Sequence, residues 1–209
     1  MIYLFLAPGF EEVEALAPLD ILRRAGLSVT TVAISAAERL GFEPHSITAT
    51  NITNTELAVR GAHGITVMAD MSEAAFMGHL PASLLCPNPK PIEAVILPGG
   101  MPGTTNLDAS PLVHGALDAA LRQDAYICAI CAAPLILGKR GLLKDKRATC
   151  YPGFEPYLEG ATVGGKVIRD GKIITAAGMG VAKEFGLEIV SVLRSPEVAG
   201  EISAAIQSL

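Results

Sequence analysis

Short apolar runs alternate along the chain with longer stretches in which apolar residues recur at helical spacing. Residues 2–6 form one such run, which Pro8 and Gly9 end, and residues 11–24 then show the periodicity of an amphipathic helix. The same alternation continues along the sequence. It predicts strands at residues 28–33, 64–68, 93–97, 126–130, near 148 and 172–176, and helices at 112–122, 132–138, 181–193 and 196–207.

Strands that alternate with helices predict an α/β fold in which a mainly parallel sheet carries helices on both faces. Such sheets bind ligands at the carboxyl ends of their strands. The 209 residues, of which 50% are hydrophobic, suffice for one core, so we expect a single domain over residues 1–209. Two stretches interrupt the pattern. Residues 36–58 are largely polar without a sustained period, and residues 83–91 carry three prolines and are predicted to be loop.

The charge content narrows the class of partner. Charged residues make up 18% of the chain and the formal net charge is -5, so binding of nucleic acid or anionic lipid is not indicated. The first nine residues lack a basic segment and are too short to span a membrane, which predicts a cytoplasmic protein. The expected partner is a small molecule.

One of the four cysteines is set apart by its surroundings. Without a secretory signal we expect reduced thiols. Cys131 lies between the strand at 126–130 and the next helix, with Ala129 and Ala133 two positions away on either side. This is the form of a nucleophile elbow, and the N–H groups of a helix start lower the pKa of a thiol. The spacing fits a buried, inert cysteine equally well.

Cys128 and Cys131 also form a C-x-x-C pattern, which occurs in thioredoxin-like redox pairs. In an extended strand, three residues separate the two Cα atoms by about 10 Å. That separation exceeds the roughly 7 Å over which a disulfide forms. We therefore predict that Cys128 is a core residue.

The histidines exclude the usual cysteine hydrolases. His45, His63, His79 and His114 all precede Cys131, whereas the α/β-hydrolase order places the histidine after the nucleophile. Apart from Cys128 and Cys131, the histidines and cysteines show no paired metal-ligand spacing, so neither a metal nor a cofactor is expected.

A carboxyl group is the remaining candidate partner for the cysteine. Glu11, Glu12 and Glu14 begin the first helix, where acids are commonly structural. Glu14 differs because Pro18, four residues on, cannot donate to its carbonyl and should distort that turn. A desolvated Glu14 would stay protonated near neutrality and donate a hydrogen bond to a thiolate.

Two backbone N–H groups are candidates for an oxyanion site. Pro98, Gly99 and Gly100 follow the strand at 93–97 and are by default a tight turn. Glycine also permits close approach of the backbone, so the N–H groups of Gly100 and Ala132 could flank Cys131.

These residues together carry a family resemblance. The segments Ala7-Pro8-Gly9-Phe10-Glu11-Glu12-Val13-Glu14, Leu97-Pro98-Gly99-Gly100, Ala129-Ile130-Cys131-Ala132-Ala133-Pro134 and Thr149-Cys150-Tyr151-Pro152 closely resemble the ThiJ/PfpI superfamily. The similarity is greatest to the branch that contains the parkinsonism-associated deglycase, and it runs over nearly the whole chain.

The resemblance implies a flavodoxin-like three-layer sandwich and a homodimer. It implies that Cys131 is the reactive cysteine, Glu14 its protonated glutamate, and Gly100 and Ala132 the oxyanion donors, with Glu11 and Gly99 near the pocket. The implied activity is hydrolysis of methylglyoxal, glyoxal or their early adducts to a hydroxy acid. Two alternatives stay open: a redox sensor that acts through oxidation of Cys131, and a hydratase of another electrophile such as an isonitrile.

Three positions depart from the family pattern. Tyr151 stands where some members carry a histidine, so a second base is missing or the phenol takes a weaker polar role. His63 replaces an arginine near the pocket, where it either reaches the site or is structural. The turn that begins at Gly178 replaces a proline-containing turn and alters the shape of the pocket.

Overall fold

The computed structural model describes residues 1–35, 56–79 and 91–208. The strands in these ranges are β1 (Ile2–Leu6), β2 (Val29–Ala33), β3 (Ala58–Arg60), β4 (Thr66–Met68), β5 (Met71–Ser72), β6 (Ala94–Leu97), β7 (Tyr126–Ile130), β8 (Arg147–Ala148), β9 (Thr162–Val163), β10 (Val167–Asp170) and β11 (Ile173–Ala176). The helices are α1 (Glu12–Arg24), α2 (Glu73–Met77), α3 (Gly103–Asp108), α4 (Pro111–Arg122), α5 (Pro134–Lys139), α6 (Ala182–Leu193) and α7 (Pro196–Ala205). Most of the polar stretch 36–58 and of the proline loop 83–91 lies outside the described residues.

Seven strands form the central sheet in the order β10-β11-β7-β6-β1-β2-β5. All neighbours in it are parallel except β10 and β11, which pair antiparallel. Helices α1, α6 and α7 pack on one face of this sheet, and α2 to α5 pack on the other. The predicted α/β architecture with helices on both faces is therefore confirmed, as a flavodoxin-like sandwich.

The central strands are apolar throughout because both of their faces are buried. In β1, Ile2, Leu4 and Leu6 point to the α1 side, whereas Tyr3 and Phe5 point to the α2 side. All five are buried. The sequence consequently shows unbroken apolar runs for these strands in place of an alternating pattern.

Two predicted strands lie outside the central sheet. The strand predicted at 64–68 is β4, which forms an antiparallel hairpin with β3. The strand predicted near 148 is β8, which pairs with β9. The longest helix among the described residues, α1, has 13 residues, fewer than the roughly 20 needed to cross a bilayer.

Four adjacent strands bring the candidate residues to one edge of the sheet. β1, β6, β7 and β11 are neighbours and run parallel. Their carboxyl ends lead into Glu14, Gly99, Cys131 and Gly178, respectively. The fold thus assembles residues that are far apart in sequence at the edge where parallel sheets bind ligands.

Candidate active site

Cys131 occupies a left-handed turn directly after β7. Its φ of 64° is unusual for a residue with a side chain and costs on the order of 1–3 kcal/mol. The Cys131 N–H donates to the Ala176 carbonyl over 2.8 Å, and its carbonyl accepts from the Tyr151 N–H over 2.8 Å. These bonds hold the strained backbone in place, and the predicted sharp strand-to-helix turn is present.

Glu14 reaches the cysteine from the first turn of α1. Its side chain is 1% exposed, and its Oε2 accepts the Gly99 N–H over 3.1 Å. A methyl group on Gly99 would lie 2.6 Å from both Glu14 Oε2 and Cys131 Cβ. Glycine at position 99 is therefore what allows the carboxyl and the thiol to meet.

The environment of Glu14 favours its protonated form. Burial raises the pKa of Glu14 to about 7, and the negative charge of Glu11 raises it further, while hydrogen bonds from the Cys131 thiol and from the N–H groups of Gly99 and Met179 oppose the rise. Glu11 is also the N-cap of α1, because its Oε2 accepts the Glu14 N–H over 2.7 Å. The raised pKa predicted for Glu14 is confirmed.

The lowered pKa predicted for Cys131 is wrong. Burial raises the pKa of this thiol to about 12, and the Glu14 carboxylate adds to the rise by its charge and by accepting a hydrogen bond. The N–H groups of Ala132 and Gly100 donate to the sulfur and act in the opposite direction, but they do not offset burial. The helix start alone is not enough to make the thiolate the main form.

Cys131 and Glu14 behave as one titrating pair. A Glu14 carboxylate repels a thiolate, whereas a protonated Glu14 donates a hydrogen bond to it. When the pair holds a single proton, that proton is either on the Cys131 sulfur, which leaves a Glu14 carboxylate, or on Glu14, which leaves a thiolate. The titration near pH 7 therefore belongs to both groups. The nucleophilic form therefore arises when the thiol proton moves to Glu14.

Gly100 and Ala132 lie where the sequence predicted oxyanion donors. Both N–H groups point at the Cys131 sulfur. Gly100 has a φ of 88°, and a methyl group there would lie 2.6 Å from the Gly9 carbonyl oxygen. The close packing of these two loops fixes the direction of the Gly100 N–H.

Tyr151 and Gly178 line the other side of Glu14. A methyl group on Gly178 would lie 3.3 Å from Tyr151 Cδ2 and 3.8 Å from Glu14 Oε1. The Met179 N–H also bonds the Glu14 carboxyl. The sequence marks the turn that holds Met179 as a departure from the family pattern, but not this donor, because a backbone N–H acts regardless of its side chain.

His63 lies at Glu12, a residue that sequence reasoning had not selected. The ring Nδ1 of His63 is 2.9 Å from Glu12 Oε2, and the backbone N–H of His63 donates to Glu12 Oε1 over 2.8 Å. The hydrogen bond and charge of Glu12 raise the pKa of the exposed imidazole. Glu11 Oε1 is 3.8 Å from the same ring nitrogen. His63 is thus tied to the start of α1, and no contact with Cys131 is seen among the described residues.

The ligand atoms of Glu11, Glu12 and His63 lie within 4.8 Å of one another. Such a group could in principle hold a cation. The buried Glu12 carboxylate already accepts hydrogen bonds from His63 and from the Ile65 N–H, so its present partners account for the arrangement.

The other described cysteines are structural. Cys128 is 0% exposed, and burial raises the pKa of its thiol. Cys150 is also buried, and burial, with the charge of Glu155, raises the pKa of its thiol to about 11. The prediction that Cys128 belongs to the core is confirmed.

Comparisons of the sequence and of the fold with known proteins point to the same family. The profile of the DJ-1/PfpI family matches residues 1–192. The Parkinson disease protein 7 homolog of Danio rerio is 30% identical and aligns over 96% of this chain and 93% of its own length. The glutathione-independent glyoxalase DJR-1.2 of Caenorhabditis elegans is 29% identical, over 90% of this chain and 84% of its own. The crystal structure of Drosophila melanogaster DJ-1beta superposes with a TM-score of 0.79 at 29% identity, covering 100% of this chain and 97% of that one.

Proposed function

This chain belongs to the DJ-1/PfpI family, and from that membership we propose that it is a cysteine-dependent glyoxalase or deglycase. Its substrates would be methylglyoxal, glyoxal or their early adducts, and its product a hydroxy acid. The observation that carries the proposal is the pairing of the Cys131 thiol with a buried carboxyl whose pKa is raised to about 7. Such a pair supplies a nucleophile and a proton carrier at neutral pH without a histidine.

The proposed reaction begins with addition of the Cys131 sulfur to the aldehyde carbon of the substrate. The proton that Glu14 took from the thiol goes to the carbonyl oxygen, which gives a hemithioacetal. The Glu14 carboxylate then removes the hydrogen of that carbon, while the hydroxyl proton on it passes to the oxygen of the neighbouring carbonyl, which gives an enediolate. Glu14 returns its proton to the neighbouring carbon as the thioester carbonyl forms. The former aldehyde carbon is thereby oxidised to a thioester while the neighbouring carbonyl is reduced to an alcohol, so no external oxidant is needed.

Hydrolysis completes the cycle. Water adds to the thioester, the carbon–sulfur bond breaks, and the hydroxy acid leaves while the proton returns to the Cys131 and Glu14 pair. The N–H groups of Gly100 and Ala132 would stabilise the negative charge that develops on the substrate oxygen. Their present direction, toward the Cys131 sulfur, supports this role.

The test is turnover of methylglyoxal by the wild type and two variants. We expect Cys131→Ser and Glu14→Gln to reduce kcat/KM by at least about 1,000-fold and 100-fold, respectively, because one removes the nucleophile and the other the proton carrier. Cys128→Ala is the matched control and should retain activity. Equal rates for the wild type and Cys131→Ser, purified in the same way, would show that the activity comes from a contaminant.

A redox sensor is the second candidate, favoured by the partial exposure of Cys131 next to a carboxyl that can carry a proton. Peroxide would convert the thiolate to a sulfenic acid and release water, and a second equivalent would give the sulfinic acid. A wild type that turns over no methylglyoxal but gains mass at Cys131 in dilute peroxide would favour sensing over catalysis.

We also propose the homodimer and the cytoplasmic location expected from the sequence. The exposed apolar side chains of Val13, Ile65 and Met68, on α1 and on the hairpin beside it, support an association between copies.

A further inference from the structure

Three large apolar side chains are exposed next to the residues that form the site. Met101, Tyr151 and Met179 are 52%, 51% and 53% exposed, respectively. We refer to these three residues as the apolar rim. Single exposed apolar residues are ordinary on protein surfaces, but several of them on loops that meet at one site are typical of a binding surface.

The backbone of Tyr151 and of Met179 is bound to the candidate site, and that of Met101 is next to it in the chain. Met101 directly follows Gly100, whose N–H points at the Cys131 sulfur. The Met179 N–H bonds the Glu14 carboxyl. The Tyr151 N–H donates to the Cys131 carbonyl. The three side chains therefore start from three different loops around the same thiol.

The Tyr151 ring is held in a defined orientation. It packs edge-on against Phe154, with ring centroids 6.5 Å apart and an interplanar angle of 76°. Gly178 also lies against it, since an added methyl group there would be 3.3 Å from the ring. A fixed ring of this kind presents aromatic surface at little entropic cost to a ligand.

A three-carbon substrate bound covalently to Cys131 is small compared with this rim. We propose that the apolar rim binds a planar, apolar substituent on the substrate, so that the protein prefers aryl-substituted α-oxoaldehydes such as phenylglyoxal to methylglyoxal. The aldehyde carbon is oxidised and the neighbouring ketone is reduced, as with methylglyoxal. The product from phenylglyoxal is mandelate, whereas the product from methylglyoxal is lactate. The inference rests on the proposed function and specifies the substrate class of that site.

The test compares the ratio of kcat/KM for phenylglyoxal to that for methylglyoxal between variants. Comparing ratios removes the different intrinsic reactivities of the two aldehydes. Tyr151→Ala and Met179→Ala should each lower the ratio about three- to tenfold, the range expected for one aromatic or sulfur–aromatic contact. Tyr151→Phe keeps the ring and should keep the ratio. Tyr157→Ala is the matched control, because this similarly exposed tyrosine also packs against Phe154, with ring centroids 6.1 Å apart, and is not part of the rim.

A second readout is independent of turnover. N-phenyliodoacetamide and iodoacetamide alkylate the same thiol, and the ratio of their rates at Cys131 should fall in Tyr151→Ala as the kcat/KM ratio does. If neither aldehyde is turned over but the aryl preference in alkylation depends on Tyr151, the proposed function fails while the aryl-binding rim stands. If both ratios are unchanged in Tyr151→Ala and Met179→Ala, the inference is overturned. The inference is also overturned if the substitutions dissociate an oligomer and leave both ratios unchanged, because the rim is then a contact between copies of the chain.

Discussion

Cys128 and Cys131 are identical residues three positions apart, yet the groups that surround their sulfur atoms differ. Cys128 lies inside β7, paired in register with Ile96 and Ile174, and is completely buried among apolar side chains. Cys131 lies one residue beyond the strand, in a left-handed turn, with two backbone N–H groups and the Glu14 carboxyl directed at its sulfur.

The comparison shows that the position of a cysteine beyond the end of the strand matters more for its thiol chemistry than its exposure to solvent. Burial raises the pKa of both thiols, so the low dielectric of the core does not distinguish them. Only Cys131 has a group that can take its proton. The turn makes this possible because it exposes the sulfur to the loops that follow β1 and β6.

Pushing Cys131 and Glu14 apart gives the largest effect expected from a change that keeps both residues. Gly99→Ala places a methyl group 2.6 Å from both Cys131 Cβ and Glu14 Oε2, so one of them must move. We expect kcat/KM for methylglyoxal to fall by at least about 100-fold, or about 3 kcal/mol in the activation barrier. Gly180→Ala is the control, since a methyl group there meets no atom within 4 Å. Full activity in Gly99→Ala would mean that the contact is dispensable.

Ionisation of Glu14 is expected to lower the unfolding free energy by an amount similar to the change of about 3 kcal/mol in the activation barrier above. Because its pKa rises from 4.5 when unfolded to about 7 when folded, its stabilising contribution is complete below pH 4.5 and disappears as the pH rises through 7. Relative to Glu14→Gln, the wild type should lose about 3 kcal/mol of unfolding free energy between pH 4.5 and 7.5. Urea denaturation across this range measures the difference. A gap that is independent of pH would show that Glu14 is not shifted.

The smallest expected effect is the difference in unfolding free energy between serine variants of the two cysteines. Cys128→Ser buries a hydroxyl among apolar side chains and should lower the unfolding free energy by about 2 kcal/mol. Cys131→Ser should lower it by less than about 1 kcal/mol, because the hydroxyl can keep the hydrogen bonds of Ala132, Gly100 and Glu14. Thermal or urea unfolding of both variants gives the comparison. Equal losses would mean that Cys131 is packed like Cys128.

Elements with a long apolar period can be predicted closely, whereas several short ones cannot. The sequence predicts β1, β7, α4 and α6 within one residue at each end. β5 and β9 have two residues each and α3 has six, which is too short for a period to be visible. Their positions are decided by the neighbours against which they pair and pack.

The sequence by itself determined the order of the longer strands and helices, the special position of Cys131 and the identity of Glu14 as its partner, because these follow from local periodicity, turn chemistry and the resemblance of the motifs. The tertiary structure alone decided the proton balance at the site. How far burial raises the pKa of a thiol depends on atoms contributed by β1, β6 and β11, which are remote from Cys131 in the chain. The sequence marks Cys131 by its helix start, whereas the folded protein pairs its thiol with Glu14, and the proposed reactivity rests on the proton that the two groups exchange.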